Sequence, residues 1–169
     1  MNPDKLTSQK PKTENISIEE RFKESKVRNE KGVLLKVFHF SDENIQEFSI
    51  DHVGKNYSGD FGFFGNGIYF TDFEEDFKYG SKRYSAYLNL KNPFIIKNPT
   101  IGDINKLHGK REDLLNQGYD GVMVWEDSSG DSVINSEKMK GFAKGRKAGW
   151  VEICVFKPED IFFLKEDKK

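Results

Sequence analysis

The sequence holds a single cysteine, Cys154, set inside an apolar run. No disulfide can form within the chain and a four-cysteine zinc site is excluded, so a reducing, cytoplasmic setting is expected. Long hydrophobic runs are missing as well. No stretch approaches the ~20 apolar residues that span a bilayer, and the polar, Lys-rich N-terminus lacks the apolar segment of a signal peptide. A protein neither secreted by that route nor membrane-spanning is the expectation. Charge of one sign is not in excess either: 27 Lys and Arg stand against 28 Asp and Glu, with no basic half facing an acidic one. There is thus no bulk field to draw in nucleic acid or an anionic membrane.

Several common chemical signatures are absent. The chain has no Walker phosphate loop, no His-Glu-x-x-His pair and no nucleophile-elbow serine, and His39, His52 and His108 have no partner at metal-ligand spacing. Metal-assisted and serine-type hydrolysis are argued against, and no metal is expected. The glycines of GNGIYF (65–70) invite a dinucleotide-fingerprint reading, but the third glycine is lacking and the pair precedes a strand instead of opening a helix.

What is present is aromatic. Fifteen Phe against three Met and two Trp point to a core of strands packing flat rings rather than of leucine-faced helices. Residues 1–15 carry few large apolar side chains and two prolines, so they are expected to form a flexible tail. A single domain is expected over 16–165, followed by a charged tail at 166–169. Ser17 with Glu20 three residues on reads as a capping box for a helix over about 18–26. After the turn signal at 29–32, VLLKVFHF (33–40) reads as a strand buried on both faces. Residues 42–48 can make a helical turn, and the glycine-rich 54–67 reads as a long loop leading to a strand at 67–71. A short helix is expected in DFEEDFKYG (72–80), then a strand in SAYLNLKNPFIIKN (85–98) broken at Pro93. Residues 102–117 look helical with Leu107, Leu114 and Leu115 inward. Strands follow at GYDGVMVW (118–125) and WVEICVF (150–156), with a last edge strand at 160–165. Short strands mixed with few helices, without regular alternation, give an α+β class.

Two polar residues stand where strands should be apolar: His39 in VFHFS and Glu152 in WVEICVF. A carboxylate in a strand interior is costly unless something pairs with it. Taken singly, Glu152 reads equally well as the solvent-facing residue of a half-exposed strand, His39 as a satisfied structural histidine, and Tyr69 as ordinary core. Their order on three strands is what makes them a candidate set.

In that order the chain resembles the ADP-ribosyltransferases with a His-Tyr-Glu triad, the class of diphtheria-type toxins and poly-ADP-ribose polymerases. GNGIYFTD (65–72) is similar to the signature of the second triad strand. SKVRNEKGVLLKVFHFS (25–41), YLNLKNPF (87–94), GYDGVMV (118–124) and EICVFKPEDI (152–161) look like the blocks of a branch found in phage and conjugative-element polyvalent proteins. The resemblance runs over roughly residues 20–163. It implies an ADP-ribosyltransferase-like fold of two packed, mostly antiparallel sheets with a few short helices, and NAD as substrate.

The resemblance also implies roles. Glu152 would bond the nicotinamide-ribose 2′-hydroxyl and stabilise the cationic sugar. His39 would bind the adenosine-side ribose, the backbone of Phe40 would hold the carboxamide, Tyr69 would stack on nicotinamide, and Ser41 would be a second ribose contact. Three departures bear on this. Phe40 replaces the usual glycine and its ring could crowd nicotinamide. Trp150 stands where arginine-modifying members carry Glu or Gln, so arginine-specific transfer is not supported. Phe77 stands where polymerase-type members use a small hydroxyl residue, with Tyr79 nearby as a second stacking ring. The Lys- and Gly-rich segment 127–149 enters the third triad strand as the acceptor loop does in the family, although such charge runs are usually solvated loops. Asp51, His52, His108 and Glu126 read as surface residues. The implied activity is mono-ADP-ribosyl transfer to a protein or other cellular target, host-directed if the mobile-element likeness holds. Alternatives are an NAD glycohydrolase, or a non-catalytic binding module of the same fold.

Overall fold

The computed structural model describes residues 16–52, 63–74, 80–127 and 148–164. Two sheets carry the chain. The first has strand order β1-β3-β7, made of Val37–Ser41, Lys82–Leu88 and Ile161–Leu164, and all its pairs are antiparallel. The second has order β2-β6-β5-β4, made of Ile68–Phe70, Ala148–Val155, Gly121–Asp127 and Phe94–Lys97. Its pairs are antiparallel except β4 with β5. A parallel pair needs a long return, and helices α2 (Ile101–Leu107) and α3 (Arg111–Asn116) supply it.

Burial explains the sequence pattern. Val37, Ala86 and Leu88 of the first sheet meet Ile68, Phe70, Met123, Ile153 and Val155 of the second in one core. The opposite face of the second sheet, with Val122, Val124, Val151, Cys154 and Phe156, packs on Phe64 and on Leu107 and Leu114 of α2 and α3. Being covered on both faces, β5 and the end of β6 read as nearly continuous apolar runs.

Some elements differ from expectation. The first helix, α1, spans only Ile18–Arg21, with the Ser17 hydroxyl accepting the Glu20 N–H. It stops because the chain is drawn alongside β3: Ser25 Oγ donates to the Leu88 carbonyl at 2.6 Å and the Lys26 N–H donates to the Leu90 carbonyl at 2.7 Å. The strand expected from residue 33 begins at Val37, the first position that pairs with β3. Bends rather than a helical turn occupy 42–48. The helix expected over 102–117 is two helices, parted at Gly109, whose φ of +68° a continuous helix does not admit. A Thr100–Asp103 capping box opens the first of them. Of the helix expected at 72–80, residues 75–79 lie outside the described residues, as do both tails.

The sequence blocks at 87–94 and 118–124 prove to be one joint. Asp120 Oδ2 accepts the backbone N–H groups of Lys91 at 2.6 Å and Asn92 at 3.0 Å, and Asn92 Nδ2 donates to the Gly118 carbonyl. This fixes the turn between β3 and β4 against the entry of β5. Among the described residues no helix is long and apolar enough to cross a membrane.

Candidate functional site

The site is built at the place where the two sheets part. β2 pairs with β6 through Phe70↔Ile153. One residue later it turns to the other sheet, where Thr71 and Phe38 exchange two backbone hydrogen bonds of 2.8 and 2.9 Å. In a continuing ladder the Tyr69 carbonyl would meet β1 backbone. Because the strands diverge, the His39 imidazole fills the gap, with Nδ1 at 2.7 Å from the Tyr69 carbonyl oxygen. A buried carbonyl needs a donor, and a carbonyl can only accept. Nδ1 therefore carries the proton, and in the neutral ring Nε2 is the acceptor nitrogen. The ring is held by Phe48 and Phe70, with centroids 5.2 and 5.6 Å away.

Tyr69 lies on the other face of β2 from Phe70, beside Phe64 and Cys154. Its hydroxyl donates to the Gly65 carbonyl at 2.6 Å and accepts the Phe64 N–H at 3.1 Å. The tyrosine thus holds the turn that precedes its own strand. That turn lies close on β6, since a Cβ at Gly67 would come within 2.5 Å of both Cys154 Sγ and the Val155 carbonyl. Only glycine fits there, which accounts for the second glycine of GNG.

Glu152 sits at an irregularity. Along β5 the pairing steps from Val124↔Glu152 to Trp125↔Trp150, leaving Val151 as an extra residue on β6. Bulges of this kind re-aim side chains and occur often beside active sites. Alternation from Ile153 and Cys154 puts Glu152 on the Tyr69 face of the sheet. The register of β2 and β6 puts it one step beyond the Phe70↔Ile153 pair. The backbones of His39, Tyr69 and Glu152 thereby lie within a residue or two of the fork, each on a different strand, with the His39 ring against Phe70 and with Tyr69 and Glu152 on the other face of the second sheet.

The remaining candidates divide. Ser41 ends β1 and its hydroxyl accepts the Glu43 N–H at 3.1 Å, while its backbone packs so closely on Gly80 that a Cβ there would collide. Phe40 is buried and, by strand alternation, its ring lies on the face of β1 opposite to His39. Phe77, Tyr79 and most of the segment 127–149 lie outside the described residues. Trp150 is an anchor: Nε1 donates to the Arg28 carbonyl at 3.3 Å and its ring meets Trp125 edge-on at 5.1 Å. Among the described residues no group of three or more His, Cys, Asp or Glu could hold a metal.

Glu126 needs correction. Its surface reading fails, because only 3% of it is exposed. It shares the face of β5 with Val122 and Val124, and its neighbour on β6 is Gly149. A carboxylate at an apolar position near a strand end gives the same signal as Glu152, but the polar EDSSGD that follows masks it.

No curated protein and no solved structure matches the chain. A family model described as ADP-ribosyltransferase in polyvalent proteins matches residues 29–166, a span that takes in all three strands of the fork. The two mostly antiparallel sheets with few short helices agree with that fold. The chain belongs to the family of ADP-ribosyltransferases found in polyvalent proteins.

Proposed function

We propose that the protein is an NAD-dependent mono-ADP-ribosyltransferase whose site is His39, Tyr69 and Glu152. In the reaction the bond between ribose C1′ and the nicotinamide nitrogen breaks, its electron pair leaving with the ring. An acceptor nucleophile then bonds C1′ and loses its proton. The pyridinium departs as a neutral molecule, so no general acid is needed and one carboxylate suffices, unlike the pair that most glycosidases use. Glu152 accepts the ribose 2′-hydroxyl proton in a hydrogen bond and stabilises positive charge on the sugar. His39, with Nδ1 committed to the Tyr69 carbonyl, presents Nε2 as an acceptor to the adenosine-side ribose. Tyr69 offers its ring face to nicotinamide. The Phe40 backbone holds the carboxamide, and Ser41 is a second ribose contact. Phe77 and Tyr79 remain proposed contacts to the nicotinamide side.

The observation that carries this reading is the fork itself. One imidazole tautomer is fixed by a strand carbonyl, and a carboxylate is placed at a bulge on the next strand but one. The ring of Phe40, on the opposite face of β1 from His39, favours an enzyme over a module with a filled pocket. The test is nicotinamide release from NAD by the wild type and by Glu152→Gln, with and without cell lysate. Release that falls ~100-fold or more in the variant and leaves a mass increment on a lysate component is expected. Glu152-dependent release that is equal with and without lysate and leaves no label would make the protein a glycohydrolase, and no release in either condition would make it a binding module.

A further inference from the structure

The irregularity that carries Glu152 is visible from both neighbours of β6. Towards β5, one step from Val124 to Trp125 matches two steps from Glu152 to Trp150. Towards β2, two steps from Phe70 to Asp72 match three from Ile153 to Trp150, since the Asp72 N–H donates to the Trp150 carbonyl at 3.1 Å. An extra residue between two flanking strands leaves the ladder locally broken, and backbone donors released by such a break need other acceptors. Trp150 finds one: its N–H donates to Asp72 Oδ2 at 2.9 Å. Asp72 therefore grips both backbone groups of Trp150, one with its own N–H and one with its carboxylate. Its neighbour Thr71 is the residue that turns towards β1.

We propose that Asp72 is a positioning residue for Glu152, holding Trp150 so that the bulge at Val151 keeps one geometry and the carboxylate of Glu152 one aim. Between Trp150 and Ile153 only two residues intervene, and both ends are fixed on β2, by the Asp72 clamp and by the Phe70 pair. Without the side-chain acceptor, the Trp150 N–H loses its partner, and the extra residue can shift towards a neighbouring register. A carboxylate displaced by about an ångström from developing charge loses much of its effect. The indole of Trp150 reports on the same backbone, because it stacks edge-on against Trp125, the chain's other tryptophan.

This inference rests on the proposed role of Glu152, so its test has one readout that does not depend on activity. Asp72→Ala and Asp72→Asn are compared with the wild type by near-ultraviolet circular dichroism of the tryptophan pair and by kinetics of nicotinamide release. Asp72→Ala is expected to weaken the tryptophan signal and to lower kcat about 10- to 100-fold with little change in KM. Asp72→Asn, which keeps an acceptor oxygen for the Trp150 N–H, is expected to retain the signal and most of kcat. An unchanged tryptophan signal in Asp72→Ala overturns the clamp, whether or not the protein cleaves NAD. A weakened signal with unaltered kcat, or a fall confined to KM, overturns the link to Glu152. A wild type that releases no nicotinamide while the tryptophan signals behave as expected keeps the clamp and removes the proposed function instead.

Discussion

The two ends of β6 are built on opposite principles. From Ile153 to Val155 the strand is in register with β2 and β5, the chain is fully buried through Phe156, and Gly67 and Gly121 approach it so closely that neither has room for a Cβ. Phe156 is locked further, its carbonyl accepting from Arg111 Nε at 3.1 Å and Nη2 at 2.7 Å. From Ala148 to Glu152 the same strand still pairs with β5, but it is bulged, partly exposed and held towards β2 by the Asp72 carboxylate as well as by backbone. The close-packed half gives the position and the bulged half gives the aim. A carboxylate at the regular end would be buried in apolar packing, where its ionised form is penalised, whereas the bulge sets it at the edge of the core.

That contrast can be broken from either end. The largest expected effect is at the closed end: Phe156→Ala empties a buried ring site and should cost about 3–5 kcal/mol, read as a lower midpoint in urea unfolding. Tyr69→Phe acts in the middle. It leaves the ring but removes a hydroxyl that bonds both Gly65 and Phe64. A loss of about 1–2 kcal/mol is expected, with faster hydrogen exchange at the Phe64 amide, while the ring face to which nicotinamide stacking is proposed is kept. If activity collapses together with that amide protection, the turn, and not the ring alone, serves the site.

The smallest effect concerns pH. Burial, then the nearby charges of Asp120 and Glu159, raise the Asp160 carboxyl from its ordinary value to about 6, against the opposing pull of Lys157 and Lys91. A carboxyl with a raised folded-state value favours the fold while protonated. Its contribution is present below about pH 4 and is lost as pH rises through about 6. Asp160→Asn should therefore stabilise the protein at pH 7 by roughly 1 kcal/mol, allowing for solvent screening. It should also flatten the stability profile between those values in thermal melts. Since Asp160 lies at the closed end of β6, beside the Asp120 joint, nicotinamide release should not follow it.

Much of this was legible beforehand. The apolar runs at 121–125 and 153–156 announce a sheet covered on both faces, because such strands have no reason to alternate. His39 stood out as a polar residue in the apolar run 33–40, and Glu152 as one just before the run at 153–156. Asp72 did not, since an aspartate just past a strand looks like a turn residue until Trp150 is seen to depend on it. Trp150 likewise read only as a departure from a related pattern. Its structural task appears when Arg28, distant in sequence, is brought to its indole nitrogen. Nor does any local pattern reveal that Asp120 ties the turn at 91–92, because the donors come from a different part of the chain.

Sequence alone pointed to most of the strands and to the turn glycines, because each is dictated by side-chain chemistry within a few positions, whereas His39, Tyr69 and Glu152 stood out as a set only through their order and the family resemblance. Tertiary structure decided what those residues can do. The parting of β1 from β2 fixes the tautomer of His39, and the extra residue at Val151 sets the aim of Glu152. Both depend on how strands far apart in sequence fail to stay in register, which no local pattern encodes.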